Sequence, residues 1–175
     1  MNNGEHDSCM DDKTPPRFIA DAMLGKLARW LRIFGFDVEY SKRSSDEDLL
    51  KRTLSVGRIL LTRDRDLHRK AFPHSLLLAS MELEEQLGEV IEAFGLSSYD
   101  LPTRCPICNT ILKEVKREDL ISQVPKSSLE RYDDFYICPG CGKVYWHGSH
   151  WERIVSRARR AGFPNLDPDS TDNEE

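Results

Sequence analysis

Residues 59–67 read ILLTRDRDL, an apolar run that passes through a threonine into two aspartates flanked by arginines. A short, continuous apolar run is typical of a strand buried on both faces, as in parallel sheets. The carboxyl ends of parallel strands share one edge, where such sheets bind ligands. The stretch therefore predicts an acidic site at a sheet edge, formed by Asp64 and Asp66. The alternative is that both acids are turn residues.

The sequence from Arg17 to Gly95 alternates short apolar runs with helical periodicity. Predicted strands cover 17–20, 36–40, 58–62 and 75–80. The helices between them are marked by an apolar stripe over 24–34 that stops at Gly35, a capped segment over 44–57, and a second stripe over 82–95. Short connections between alternating strands and helices predict an α/β fold, a mainly parallel sheet covered by helices on both faces.

Four of the five cysteines form two pairs, Cys105-Pro-Ile-Cys108 and Cys138-Pro-Gly-Cys141. Two residues between thiols let both sulfurs bind one ion, and four thiolates suit a structural Zn²⁺. An iron centre uses the same ligands and remains an alternative. Since 29 residues separate the two pairs, the predicted zinc ribbon carries an inserted loop.

The composition changes near residue 100, where cysteine- and turn-rich sequence replaces the α/β pattern. We predict a disordered leader over 1–16, an α/β domain over 17–100, a zinc ribbon and basic helix over 101–162, and a disordered acidic tail over 163–175. The net charge of −5 comes from the two ends, and the span 13–166 carries about +4. A mildly basic body is compatible with a polyanionic partner such as RNA.

Two further acids are expected at the sheet edge that holds Asp64 and Asp66. Asp21 directly follows the first predicted strand, and Asp46 begins the helix after the second. Repulsion makes a four-acid cluster costly unless a cation compensates it. Mg²⁺ or Mn²⁺ suits carboxylate oxygens and can activate water for phosphodiester hydrolysis. Each acid also has a structural alternative, as a turn residue or as a partner of a helix dipole.

Together these motifs resemble the Mut-seven C-terminal RNase domain family, a PIN-like nuclease branch with an appended zinc ribbon. The resemblance spans about 17–155 and rests on FIADAMLGKLARWLRIFGFDVEY (18–40), SDEDLL (45–50), GRILLTRDRDL (57–67), the Cys-Pro-x-Cys pairs and VYWHGSHW (144–151). It implies a three-layer PIN-like fold. It also implies a metal-dependent endoribonuclease whose Mg²⁺ or Mn²⁺ is held by four acids. By position these acids are Asp21, Asp46, Asp64 and Asp66, with Asp48 as the alternative to Asp46.

Basic and aromatic residues provide candidate contacts to RNA. The candidates are Lys26, Arg29, Arg63, Arg65, His150 and Arg153. Helical spacing places Lys26, Arg29 and Arg32 on one side of the first helix, opposite its apolar stripe. The aromatic residues of VYWHGSHW are interpreted either as stacking platforms for unpaired bases or, as we favour for most of them, as residues that dock the ribbon on the core.

Three functional interpretations follow. The first is a metal-dependent endoribonuclease whose zinc ribbon aids RNA binding, and the alternative is a non-catalytic RNA- or ribosome-binding module with the same fold. A phospho-acceptor receiver domain is disfavoured, because IADAM (19–23) offers one acid where receivers carry a pair. No apolar run reaches the roughly 20 residues of a membrane helix, and no signal peptide is evident, so we expect a cytoplasmic protein without a membrane partner.

Overall fold

The computed structural model describes residues 15–96, 103–148 and 150–163. Nearly all of the predicted leader and tail, and the predicted domain boundary, lie outside the described residues. The N-terminal elements are β1 (Phe18–Ala20), a 3₁₀ turn (Ala22–Leu24), α1 (Gly25–Ile33), β2 (Val38–Tyr40), α2 (Asp46–Val56), β3 (Ile59–Thr62), α3 (Arg65–Ala71), β4 (Ser75–Leu77) and α4 (Leu83–Phe94). They are followed by β5 (Lys113–Val115), a 3₁₀ turn (Arg117–Leu120), α5 (Lys126–Arg131), β6 (Phe135–Ile137), β7 (Val144–Trp146) and α6 (Trp151–Arg160).

The first four strands form a parallel sheet in the order β2-β1-β3-β4. Because successive side chains point to opposite faces, the two central strands, β1 and β3, contribute to two cores. Phe18 and Ala20 pack in the cluster that includes α1 and α4, whereas Ile19 and Leu60 pack with residues of α2 and α3. The predicted three-layer α/β arrangement is confirmed.

Local sequence signals set several helix ends as predicted. Ser45 and Asp48 form a reciprocal capping box at the start of α2, which satisfies two backbone amides that lack helical partners. Gly57 ends this helix with a φ of 65°, and Gly35 follows α1 with a φ of 87°. Both values are left-handed conformations that glycine adopts without steric cost.

The ribbon is an antiparallel sheet in the order β5-β6-β7. The segment between the cysteine pairs is more structured than the inserted loop we predicted, because it contains α5 and a small apolar core. That core is formed by Leu120, Val124, Leu129 and Phe135. Their spacing is irregular and was not recognised as a core in the sequence.

The first cysteine turn docks on the edge of the parallel sheet through Asn109. This residue has a φ of 67°, and its side chain accepts from the amide of Val38 (3.1 Å) and donates to Asp37 (2.8 Å). On the same side, Arg32 donates to the carbonyls of Val38 (2.8 Å) and Ile107 (2.9 Å). The expectation that Arg32 shares a solvent face with Lys26 and Arg29 is therefore wrong. Arg32 is buried because the ribbon supplies carbonyl acceptors for it.

Helix α6 returns to the α/β domain after the ribbon. Ala158, Ala161 and Phe163 belong to its main core, and the Phe163 ring contacts Phe34 edge-on at 5.1 Å. The guanidinium of Arg157 lies 4.5 Å from the Trp30 ring centre and pairs with Glu84. One side of this basic helix therefore packs against the α/β domain.

The charge network around Asp37 is expected to stabilise the fold above acidic pH. Burial disfavours its charged form, but hydrogen bonds from Arg58 and Asn109 and the nearby charge of Arg104 lower the pKa of Asp37. A lowered folded pKa gives stability that is complete above the ordinary value of 3.8 and is lost as pH falls through the folded value. We expect Asp37→Asn to lose about 3 kcal/mol of unfolding free energy at pH 7.

Urea unfolding of both proteins at pH 7 and pH 3 measures this difference, which should shrink at pH 3. Asp133→Asn is the matched control, since Asp133 pairs with Arg117 on the surface and such pairs are worth about 0–1 kcal/mol. Equal losses for the two variants at pH 7 would argue against a special role for Asp37.

Candidate functional site

Asp21 lies at the carboxyl end of β1 and is only 8% exposed. Its amide donates to the carbonyl of Leu61 (3.0 Å), which fixes the backbone against the neighbouring strand β3. Its carboxylate accepts from the hydroxyl of Thr62 (2.8 Å). Asp21 forms no ion pair within the part of the chain that the structure describes. A buried carboxylate without a compensating cation is costly. The Asp21 carboxylate is therefore available to bind a cationic ligand.

Asp64 lies two residues beyond β3 and is the N-cap of α3. Its Oδ1 accepts from the amides of Asp66 (2.7 Å) and Leu67 (2.9 Å), and its own amide donates to the Thr62 hydroxyl (3.0 Å). The Thr62 hydroxyl therefore connects the Asp21 carboxylate with the backbone of Asp64. The acids after β3 are predicted to be turn residues or ligands, and the helix α3 that follows Asp64 is not among the predicted elements. The signal was present, because Asp64 precedes Leu67 and Ala71 at helical spacing.

The other two predicted acids are exposed, as Asp64 is, whereas Asp21 is buried. Asp46 begins α2 as its first residue, beside Glu47 and Asp48, and Asp48 is engaged in the capping box with Ser45. Asp66 lies on the surface of α3 and pairs with Arg69 at 2.9 Å. Of the two alternatives at the start of α2, Asp46 is the acid whose carboxylate is not used by the cap.

The four acids do not form a closed metal cage in this conformation. Among the described residues, the group of His, Cys, Asp or Glu ligand atoms that lie mutually within 4.8 Å is that of the four cysteines. Topology nevertheless brings Asp21, Asp46 and Asp64 to the same edge of the sheet, since each follows the carboxyl end of a parallel strand. This edge can offer carboxylate oxygens to a cation but does not enclose one.

A cavity of about 310 Å³ adjoins the ends of β3 and β4. Arg63 and Arg65, the neighbours of Asp64, line it together with Leu77, Leu78 and Ala79. The Nε of Arg63 is buried and has no hydrogen-bond partner within the described ranges. Positive charge next to the acids provides a surface suited to an anion such as a phosphate.

Replacing Thr62 tests the connection between Asp21 and Asp64. Thr62→Val keeps the volume of the side chain but leaves the buried Asp21 carboxylate without its donor, which costs about 1–3 kcal/mol. We expect the unfolding free energy to fall by about 2 kcal/mol in urea denaturation. Thr62→Ser should restore most of the loss, and wild-type stability in Thr62→Val would contradict the role given to this hydroxyl.

The four cysteines form the second candidate site. Their sulfurs lie within 4.8 Å of one another, with Cys108 3.3 Å from Cys138 and Cys105 3.6 Å from Cys141. A tetrahedron with Zn–S bonds of 2.3 Å has sulfur–sulfur edges of about 3.8 Å, so the four sulfurs fit a zinc ion. The fold class is an α/β domain followed by a four-cysteine ribbon.

Two hydroxyl groups lie close to the cysteine sulfurs. The Tyr145 hydroxyl lies 3.1 Å from Cys105 Sγ, and Thr110 contacts Cys108 through its hydroxyl (3.3 Å). Hydrogen bonding to the side chain and backbone of Thr110 lowers the pKa of Cys108 to about 6. The contact of Tyr145 with the cysteine cluster could not be predicted from the sequence, because Tyr145 lies 40 residues from Cys105.

The predicted RNA-binding residues lie at three places in the structure. Arg63 and Arg65 lie beside the acids, while Lys26 and Arg29 are exposed on α1. His150 and Arg153 are exposed at the start of α6. The aromatic residues of VYWHGSHW serve partly as packing groups, since Trp146 packs against the ribbon core and contacts Phe135.

The fold and the two sites define a parallel α/β domain with a carboxylate-bearing sheet edge and an appended cysteine ribbon. The Mut7-C RNAse domain family matches residues 16–158, and the chain therefore belongs to this family, as its motifs predicted. Membership implies a nuclease-like function with RNA as substrate or partner. Neither the curated proteins nor the solved structures gave a match. Within the described ranges, no helix has the length and apolar character needed to cross a membrane.

Proposed function

We propose that this protein is an endoribonuclease that hydrolyses RNA with Mg²⁺ or Mn²⁺ bound at the acidic edge of the parallel sheet. The observation that carries the proposal is the buried, unpaired carboxylate of Asp21, oriented by Thr62 beside Asp64. Buried charges in proteins are usually paired or coordinate metals, and a bound metal ion would compensate this carboxylate. The cytoplasmic location belongs to the same proposal.

The open arrangement of the acids suits magnesium chemistry. Mg²⁺ keeps several waters and is commonly held by one or two carboxylates together with substrate phosphates. Asp21 and Asp64 would supply those carboxylates, with Asp46 and Asp66 nearby for a second ion or for bound waters. Because the protein would supply only some of the ligands of the ion, we expect weak metal binding without RNA and tighter binding with it.

The protein's own residues would position the RNA and the attacking water. The bound ion would activate a water and stabilise the leaving oxygen. Arg63 and Arg65 would bind phosphates on either side of the scissile bond, because guanidinium groups match phosphate oxygens. Asp46, whose carboxylate is exposed, would accept a proton from the water, and the ribbon would hold the RNA outside the reacting centre.

The alternative is a non-catalytic RNA-binding module. It retains the basic surfaces and predicts salt-sensitive binding without cleavage. The incomplete grouping of the acids is the observation that favours it.

An assay with uniformly labelled single-stranded RNA and zinc-loaded full-length protein separates the two. We expect internal cleavage with Mn²⁺ or Mg²⁺ and none when neither is added. The matched control is Glu47→Gln, which removes an exposed acid from the first turn of α2 and should cleave as wild type. Binding without cleavage under every divalent condition would overturn the nuclease proposal and leave the binding module.

A further inference from the structure

A second cavity lies between α1, the first cysteine turn and the β7–α6 junction. It measures about 150 Å³, and Arg29, Arg104, Pro106, His147, His150 and Trp151 are among its lining residues. None of the described lining residues is acidic. The acidic edge does not use this cavity, since none of the four predicted acids lines it.

The size of the cavity suits one flat ring. Sites for drug-sized ligands measure roughly 300–1,000 Å³, whereas an apolar cavity of about 150 Å³ accepts a benzene molecule. The walls supply aromatic surface, because the His147 and Trp151 rings are centred 3.9 Å apart at 33° and Trp151 is partly exposed. A planar base could extend this stack, and base–aromatic stacking tolerates any base.

The polar groups of the cavity fit a nucleotide. Burial lowers the pKa of His147, so the ring is neutral at pH 7 and can either donate to or accept from a base edge. Its Nε2 is buried without a hydrogen-bond partner within the described ranges. Arg29 is exposed and forms no ion pair within the same ranges, which leaves its charge available to a phosphate.

Helix α1 connects the cavity with the acidic edge. It begins four residues after Asp21, and Lys26 and Arg29 follow at a spacing that places them on one side of the helix. Both are exposed. The exposed face of α1 therefore presents two cations in sequence between Asp21 and the cavity, as expected of a track for a nucleic-acid backbone.

We infer that the cavity between α1, the first cysteine turn and the β7–α6 junction is a subsite for one unpaired nucleotide of single-stranded RNA. The base stacks with Trp151 and His147, and its phosphate contacts Arg29. The inference takes RNA as the partner from the proposed function but does not require cleavage. The zinc ribbon then acts in substrate binding by forming one wall of the subsite.

The test is the affinity of full-length, zinc-loaded protein for a fluorescein-labelled octa-uridylate, whose bases have a single ring, measured by fluorescence anisotropy without added Mg²⁺ or Mn²⁺. Trp151→Leu removes the stacking surface, and Arg29→Ala changes an exposed residue that the core does not need. We expect each to weaken binding about tenfold. The matched control, Lys116→Ala, removes one exposed charge from the ribbon outside the cavity and should bind within twofold of wild type.

Quenching of tryptophan fluorescence by UMP provides a second measurement that does not depend on the Trp151 variant, and Arg29→Ala should reduce it. Wild-type affinity and quenching in Arg29→Ala would overturn the inference, as would an equal loss in Lys116→Ala. If acid variants lose cleavage but the cavity variants bind normally, the subsite is wrong and the nuclease stands. If the cavity variants bind RNA tenfold more weakly but the wild type never cleaves RNA, the subsite is supported and the nuclease proposal is not.

Discussion

Asp21→Asn is expected to reduce RNA cleavage by about 10³-fold or more while leaving the fold intact. A metal ion that polarises a phosphoryl oxygen contributes several kcal/mol to transition-state stabilisation, and each 1.4 kcal/mol is a factor of ten in rate. Asparagine keeps an oxygen that can accept from Thr62, so the hydrogen bond at 2.8 Å has a substitute. The charge needed to hold the ion is lost.

The stability of Asp21→Asn provides an independent readout. Burying an uncompensated carboxylate is costly, so the variant should be at least as stable as wild type when no divalent ion is present. Mn²⁺ should raise the melting temperature of the wild type, since a ligand that binds only the folded state stabilises it. It should leave that of Asp21→Asn unchanged. Wild-type cleavage by the variant, or equal Mn²⁺ stabilisation of both proteins, would contradict the assignment of Asp21.

The other acids should differ in the size of their effect. Asp64→Asn should also lose most cleavage, while the cap of α3 is kept, because asparagine caps a helix about as well as aspartate. Asp66→Asn should lose less, because its carboxylate is paired with Arg69 on the surface. A larger loss for Asp66 than for Asp64 would reverse the order that the structure supports.

Replacement of Cys138 by serine is expected to abolish zinc binding and unfold the ribbon. Cys138 is fully buried, and structural zinc sites contribute about 10–16 kcal/mol of apparent binding free energy to folding. The small core of the inserted segment, four residues, cannot replace that amount. We expect wild-type protein to contain one zinc per chain and the variant to contain none.

Hydrogen exchange followed by mass spectrometry shows which strands unfold in Cys138→Ser. The strands β5, β6 and β7 should lose protection in Cys138→Ser, while β1 and β3 should keep it. Partial destabilisation of the α/β domain is also expected, because Arg32 loses its carbonyl acceptor at Ile107 and remains buried. Cys9→Ser, which alters the cysteine outside the two pairs, is the control. A stoichiometric iron in the wild type, or full protection in Cys138→Ser, would contradict the structural zinc assignment.

The parallel sheet could be predicted because its signals are local. Strand β3 is an apolar run whose Leu60 and Leu61 are buried on opposite faces. The end of α1 could be predicted from a single residue, Gly35. The placement of Asp21 and Asp64 at one edge then followed from topology alone. The cysteine cluster was predictable for the same reason, since two short motifs specify its ligands.

The features that could not be predicted depend on contacts between distant residues. Arg32 looked exposed on a helical projection, and its burial depends on carbonyls 74 and 75 residues further along the chain. The role of Asn109 in docking the ribbon depends on Asp37 and Val38, which are equally remote. Helix α3 is not among the predicted elements for a different reason. Most of its residues are charged or polar, and only two buried residues, Leu67 and Ala71, show helical spacing.

The central claim, a divalent-metal site at the acidic edge, is tested most directly by anomalous diffraction from crystals soaked in Mn²⁺. The claim predicts an anomalous peak bound by the carboxylates of Asp21 and Asp64, in addition to the zinc peak among the four cysteines. Asp21→Asn crystals soaked in the same way should retain the zinc peak and lose the manganese peak. A fully occupied zinc site with no manganese at Asp21, in crystals soaked with and without bound RNA, would contradict the claim.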